Sequence, residues 1–392
     1  MNPSQSETHD RTVPPSPAII PGLEGVPAAA TRLSRVDGLA GELVIAGYPL
    51  EELAGRAEFE QTAFLLWNDR LPDAGELAAL RADLAARRGL PAPVLALLRA
   101  AADRGQPVMD ALRMAAGSLD IDASQAERND LVESARTITA RLPVVVASYW
   151  RLRQRREPVA PAPDLGHVAN YLYMLSGEPP SAARVRGLET YFNTVSDHGF
   201  NASTFTARVI LSTRSDIYSA VTGAIGAMKG PAHGGAPGPA LDTVLEIGRP
   251  ERAEAVLQAK LDAGERLMGF GHRVYKVRDP RAVVLAEAAR QLYTADGDLE
   301  LYELARHVEA TAIRLLEARK PGRNLQTNVE FYTALLLHGL GLPTELFTPS
   351  FSVARAAGWT AHCIEQAGAN RLFRPESVYV GAEGRRWPSS GD

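Results

Sequence analysis

Apolar residues return every third or fourth position along most of this chain, the spacing that buries one face of an α-helix. Leu77, Leu80 and Leu84 make the first clear stripe; Pro72-Asp73 with Glu76 forms a capping-box start before it, and Gly89 and Pro91 stop it. Pro107 opens another helix carrying Met109, Leu112 and Ala116. Leu131, Ala135, Ile138, Leu142, Val145, Tyr149 and Leu152 outline a long buried helix that Pro143 is expected to kink. It ends in Arg151, Arg153, Arg155 and Arg156, a basic end that suits the helix dipole and solvent. Between Gly187 and Lys229 the residues become small, Ala202, Ser203, Ala207, Ala220, Gly223 and Ala224 among them, so helices can approach closely, in a core or at a subunit interface. More helices fill 230 to about 330, and the last two run from about Asn328 to Gly341 and from about Thr348 to Gln366, before the loop NRLFRPESVYVG. Strand character is confined to Gly22–Tyr48, where Asp37-Gly38 between short apolar segments predicts a small β-hairpin. The first 18 residues are polar and Pro-rich, the composition of a disordered tail.

Composition narrows the class without naming a chemistry. The chain has 392 residues, 45% hydrophobic and 22% charged, with a net charge of -4, values of an ordinary soluble protein with ample core. No basic surplus points to nucleic acid or a membrane surface. The single cysteine, Cys363, excludes an intramolecular disulfide and argues against a thiolate metal site, which fits a reducing cytosol. The start has no apolar segment of signal-peptide type, and runs such as Pro143 to Trp150 are far too short to span a bilayer, so the expected location is cytoplasmic.

Chemistry concentrates in Met268 to Arg281, MGFGHRVYKVRDPR. Gly269 and Gly271 permit positive φ or close approach of a ligand, so His272 is presented from a turn. Arg273, Lys276, Arg278 and Arg281 face one acid, Asp279; the set is either a solvated basic turn or a cradle for carboxylates and phosphates. Two more histidines share the pattern: His198 in Asp197-His198-Gly199-Phe200-Asn201 just before a helix, and His233 in Gly230-Pro231-Ala232-His233-Gly234-Gly235 just after one. Each alone is more often structural; together they read as a site.

The motifs GLEGV, DHGFNASTFTARV, KGPAHGG, GFGHRVYKVRDPR, NVEFYTALLLHGLGLPTELFTPSFSVARAAGW and NRLFRPESVYVG, in this order, resemble those of the citrate synthase family, in its shorter bacterial and archaeal style, over about Gly22 to Gly381. The resemblance implies an all-α fold with a short N-terminal β-hairpin, a large helical domain from 19–227 and 334–392, and an inserted smaller helical domain over 228–333 that closes on substrate. It implies condensation of acetyl-CoA, as co-substrate, with oxaloacetate, no metal or redox cofactor, and a homodimer. His233 would stabilise the enol of the thioester and His272 would polarise the oxaloacetate carbonyl. His198, Arg281 and Arg355 would hold its carboxylates, Arg374 would reach in from the neighbouring subunit, and Lys276 would meet CoA phosphates, with Arg273, Arg278, Lys320 and Arg323 as further cations. Two positions depart from the family pattern. The base, an aspartate in the family, aligns with Glu330, whose oxygens reach about 1.5 Å further. Pro237 stands where the His-Gly-Gly motif commonly continues with Ala-Asn. The same residues leave open a propionyl-CoA-using 2-methylcitrate synthase and a catalytically impaired paralogue that only binds.

Overall fold

The computed structural model describes residues 19–234, 237–272 and 275–387, and of Pro237 only its backbone. The N-terminal tail and Arg273 therefore lie outside the described residues, as does the side chain at the Pro237 departure. One compact unit is Thr31–Leu372. It begins with three antiparallel strands, β1 (Ser34–Asp37), β2 (Glu42–Ile45) and β3 (Tyr48–Pro49), in the order β1-β2-β3. The expected hairpin is present, with a third short strand added. Asp37 pairs with Glu42, so residues 38–41 form the turn, and the Asp37 carboxylate accepts the Leu39 and Ala40 N–H groups at 3.0 and 2.8 Å.

Apart from one isolated bridge, all other regular structure among the described residues is helical. In chain order come α1 (Leu50–Leu53), α2 (Phe59–Asn68), α3 (Ala74–Arg87), α4 (Ala92–Asp103), α5 (Val108–Ala116), α6 (Gln125–Asn129), α7 (Leu131–Arg153), α8 (His167–Ser176) and α9 (Ala182–Val195). They are followed by α10 (Ala202–Ser212), α11 (Ile217–Met228), α12 (Pro237–Ile247), α13 (Ala253–Asp262), α14 (Pro280–Asp296), α15 (Glu300–Arg319), α16 (Val329–Gly339) and α17 (Phe347–Gly368). The capping box forms as the sequence predicts, with the Asp73 side chain on the Glu76 N–H and the reverse bond also made. α7 runs as one helix through Pro143, and its stripe, Ile138, Leu142, Val145 and Tyr149, is fully buried. α7 packs on α3, α4, α5, α8 and α17, and α17 in turn on α2, α9, α10 and α11, so these two long helices organise the core. The small residues between Gly187 and Lys229 do permit close approach: a Cβ at Gly223 of α11 would lie 2.3 Å from the Ile210 side chain of α10.

The other unit combines the N-terminal segment to Ala30 with Phe373–Asp392. Its described part holds one 3-10 turn, Pro21–Leu23, and an irregular 373–387 in which Val380 and Trp387 are exposed. No described helix is long and apolar enough to cross a membrane.

Candidate active site

Local chemistry shapes the first histidine turn. After α9 the chain turns at Gly199, φ +59°, and Asn201 caps α10 by accepting the Thr204 N–H at 3.1 Å. Asp197 is fully buried and is held by His362 Nε2 at 3.0 Å and by the Ser34 hydroxyl at 2.5 Å. The other ring nitrogen of His362 faces the Arg208 guanidinium at 3.0 Å and so must accept, which leaves Nε2 as the donor to Asp197. α17 presses on this turn so closely that a Cβ at Gly358 would meet the Ser196 carbonyl oxygen at 2.1 Å. The buried network thus locks the backbone that presents His198.

The second turn follows α11. The N–H groups of His233 and Gly234 both return to the Gly230 carbonyl, at 2.9 and 3.2 Å, and Thr348 of α17 donates to the Gly234 carbonyl at 2.7 Å. His233 Nε2 lies 2.8 Å from Ser203 Oγ, which also accepts Trp359 Nε1–H at 3.1 Å and can donate to Asn201 Oδ1 at 2.8 Å.

The third turn is zipped to the start of α16, although more than fifty residues separate them. Phe270 and Thr327 form an antiparallel bridge, Gly271 N–H donates to the Gln326 carbonyl at 2.7 Å, and Asn328 N–H donates to the Gly269 carbonyl at 2.9 Å. Gly269 sits at φ +90° with the Phe331 side chain 3.0 Å from where a Cβ would be, so the close approach requires glycine. Asn328 caps α16 through the Glu330 N–H at 2.9 Å. Asp279 is the joint between the two segments: its carboxylate takes Arg281 N, Nε and Nη2 at 3.0, 3.0 and 2.8 Å, and the Val329 N–H at 3.2 Å.

These turns converge. Tyr275 is the hub, its hydroxyl 3.1 Å from His198 Nε2, its ring 4.9 Å from that of His272, and the Arg281 guanidinium 5.6 Å from its centroid. His272 Nδ1 accepts the Tyr275 backbone N–H at 3.0 Å, so the neutral ring carries its proton on Nε2, only 3.3 Å from Arg281 Nη2. Two adjacent donors of this kind suit one oxygen acceptor. Arg355 is buried, donates Nε–H to the Val195 carbonyl at 2.5 Å and lies over the Phe351 ring at 4.8 Å, while its Nη1 has no partner among the described residues. A buried guanidinium with an unsatisfied nitrogen calls for an anion.

Electrostatics tie the set together. Burial, reinforced by Arg281, Arg355 and the other two histidines, holds His198 well below the usual imidazole range. Burial, with Arg355 beside it, brings His233 down to about 4, and burial with Arg281 brings His272 to about 4. Arg355 falls to about 10, chiefly through burial. Burial raises Glu330, against the pull of Arg281, so this carboxylate lies within electrostatic reach of the same guanidinium as His198 and His272. Both His233 and His272 are neutral at pH 7. We expect their ring C–H resonances to titrate with midpoints near 4, and midpoints near the ordinary 6.5 would contradict this placement. Because the folded chain binds these protons more weakly than the unfolded one, the stability they contribute is full above pH 6.5 and is lost as pH falls towards 4.

The remaining cations are placed differently. Lys276 is exposed, on a loop whose N–H bonds to the Gly38 carbonyl at 2.8 Å. Arg278 is paired with Glu309 at 2.8 Å, and Lys320 and Arg323 are exposed. Arg374 belongs to the other unit, where Nη1 donates to the Pro375 carbonyl at 2.9 Å. Two cavities among the described residues, of about 790 and 580 Å³, are lined by none of the three histidines. In the smaller, the acids Glu58, Glu60 and Glu189 approach within 4.8 Å; Glu58 is paired with Arg81 and Glu189 with Arg186, while Glu60 accepts the His167 N–H at 2.7 Å. Sequence reasoning gave no site role to Tyr275, Asp279, Ser203 or the Asp197–His362 pair; all but His362 lie within the motifs, and His362 carried no local signal.

Comparison with known proteins agrees in extent. Residues 22–376 match the family profile described as citrate synthase, C-terminal domain. The chain is 41% identical over 368 residues to a citrate synthase of Haloferax volcanii, spanning 92% of this chain and 95% of that protein. It is equally, 41%, identical over 385 residues to a 2-methylcitrate synthase of Mycobacterium tuberculosis, spanning 97% and 95%. Among solved structures it resembles the citrate synthase of Thermoplasma acidophilum in ternary complex with carboxymethyl coenzyme A and oxaloacetate, with a TM-score of 0.85, 28% identity, and 94% and 98% of the two chains covered.

Proposed function

Since the chain belongs to the citrate synthase family, acyltransferases that convert acyl to alkyl on transfer, we propose that it condenses acetyl-CoA with oxaloacetate to give citrate and free CoA. The observation that carries this reading is the buried Arg355, with its unsatisfied Nη1, among the three neutral histidines and Arg281. Its support from outside is the likeness to a structure solved with oxaloacetate and a CoA analogue. Arg281, Arg355 and His198 take the two carboxylates, and Arg374 of a second copy of the chain completes their cradle in a homodimer. The oxaloacetate ketone oxygen sits between His272 Nε2–H and Arg281. Ser203 has one proton for two acceptors; given to His233 Nε2, it leaves His233 Nδ1 protonated and able to donate to the thioester oxygen.

Glu330 then removes a methyl proton from acetyl-CoA while His233 stabilises the enol oxygen. The enol carbon attacks the ketone carbon, the ketone oxygen takes the His272 proton, and the proton held by Glu330 restores the His272 ring, so that both groups regain their starting state. Water finally cleaves the citryl thioester, releasing CoA and citrate. Lys276 meets the CoA phosphates from its exposed loop, and segment 228–333 is the smaller domain that closes over oxaloacetate and keeps water out until the carbon–carbon bond has formed.

A second acyl donor stays in play because the 2-methylcitrate synthase relative is as similar as the citrate synthase one. Purified protein with oxaloacetate is given acetyl-CoA and propionyl-CoA in parallel, and released thiol is followed; kcat/KM favours acetyl-CoA on the first reading and propionyl-CoA on the second. Release of no CoA from either thioester at any pH would sink both.

A further inference from the structure

The larger cavity, about 790 Å³, lies between the end of α7, the turn joining α8 to α9, and the segment after α16. We propose that it binds a small organic anion with a flat or branched apolar body, and that its occupancy is felt at the starts of α14 and α16. Its volume is in the range of small-molecule sites, about 300–1,000 Å³. Trp150, Leu172, Leu175, Leu340, Leu342 and Leu346 give an apolar wall.

Mainly positive polar groups meet that wall. The Arg156 guanidinium is exposed at the cavity and makes no ion pair among the described residues; a turn with Arg155 at φ +58° and the Arg156 N–H on the Arg151 carbonyl at 2.9 Å places it there. Ser181, also in the lining, caps α9, whose positive dipole end therefore opens on the cavity. Glu178 is the single acid among the described lining residues. An amphipathic anion fits this chemistry; a cation does not.

Arg184 supplies the link to the site. It pairs with Asp296 at 3.3 Å and donates to the Leu340 carbonyl from the same guanidinium. Asp296 is the last residue of α14, whose second residue is Arg281, and Leu340 caps α16, whose second residue is Glu330. One side chain in the cavity wall thus clamps the far ends of the two helices that carry the carboxylate-binding arginine and the base. An anion that draws Arg184 into the cavity loosens both.

The binding claim stands on the cavity; the coupling rests on the synthase reading above. The probe is 1-anilinonaphthalene-8-sulfonate, titrated by fluorescence into the full chain without substrates, so that binding is read whether or not turnover occurs. We expect saturable binding with tryptophan-sensitised emission that falls sharply in Trp150→Phe. Removing the charge in Arg156→Gln should weaken affinity about tenfold, with Arg156→Lys recovering most of it. The uncharged N-phenyl-1-naphthylamine should not discriminate the Arg156 variants. Equal affinity in the wild type and Arg156→Gln, or undiminished sensitised emission in Trp150→Phe, would overturn the site. Saturation of the site with no change in the KM for oxaloacetate would overturn the coupling.

Discussion

In Glu330→Gln, kcat for CoA release falls about 10³-fold while the KM for oxaloacetate changes little, the loss typical of an essential base. The amide keeps the volume and leaves untouched the Asn328 cap, which acts through the Glu330 backbone N–H, so the variant folds. Only basicity is removed. Glu330→Asp tests the family departure: the start of α16 is fixed by Asn328 on Gly269 and Gly271 and by Asp279 on Val329, so the backbone does not advance to meet a shorter side chain. Retraction by about 1.5 Å should therefore lower kcat on the order of 10²-fold. On the acid side, activity in the wild type is lost at a pH above the ordinary glutamate value of 4.5, because burial raises Glu330. Undiminished turnover in Glu330→Gln would move the base elsewhere.

Asp279→Ala should be the most destabilising single change near the site, by about 3–5 kcal/mol in urea unfolding, because it strands a buried guanidinium. Arg281 and Asp279 are almost wholly buried, and the carboxylate takes three donors from Arg281 and one from Val329. Its removal frees both the start of α14 and the start of α16, so the residual folded protein also binds oxaloacetate poorly. The double variant Asp279→Leu with Arg281→Leu separates the two effects: apolar replacement of the whole pair recovers much of the stability, yet not the activity. Wild-type unfolding in the single variant would show that the pair is not the joint described.

Periodicity, capping and turn chemistry are local properties, and along this chain they sufficed for α3, α5, α7, α16, α17 and the hairpin. Residue type and glycine context likewise singled out His198, His233, His272 and Arg281 before any coordinates. The third strand β3 escaped notice because two residues carry too little pattern to read. Arg355 was marked only by the family resemblance, and its helical run gives no sign that α17 buries it beside Val195 and Phe351.

By itself the sequence determined a helical protein and picked out its Gly-flanked histidines and their neighbouring cations, because helix formation and imidazole or guanidinium chemistry depend on neighbours within a few residues. Which groups meet was decided only in three dimensions. Tyr275 joins His198 to His272, Asp279 ties α14 to α16, and Asp197 finds His362 at 3.0 Å across 165 positions of chain. Those contacts follow from how the faces of α9, α14, α16 and α17 pack, and a residue's own neighbours carry no record of the distant surface its side chain will touch.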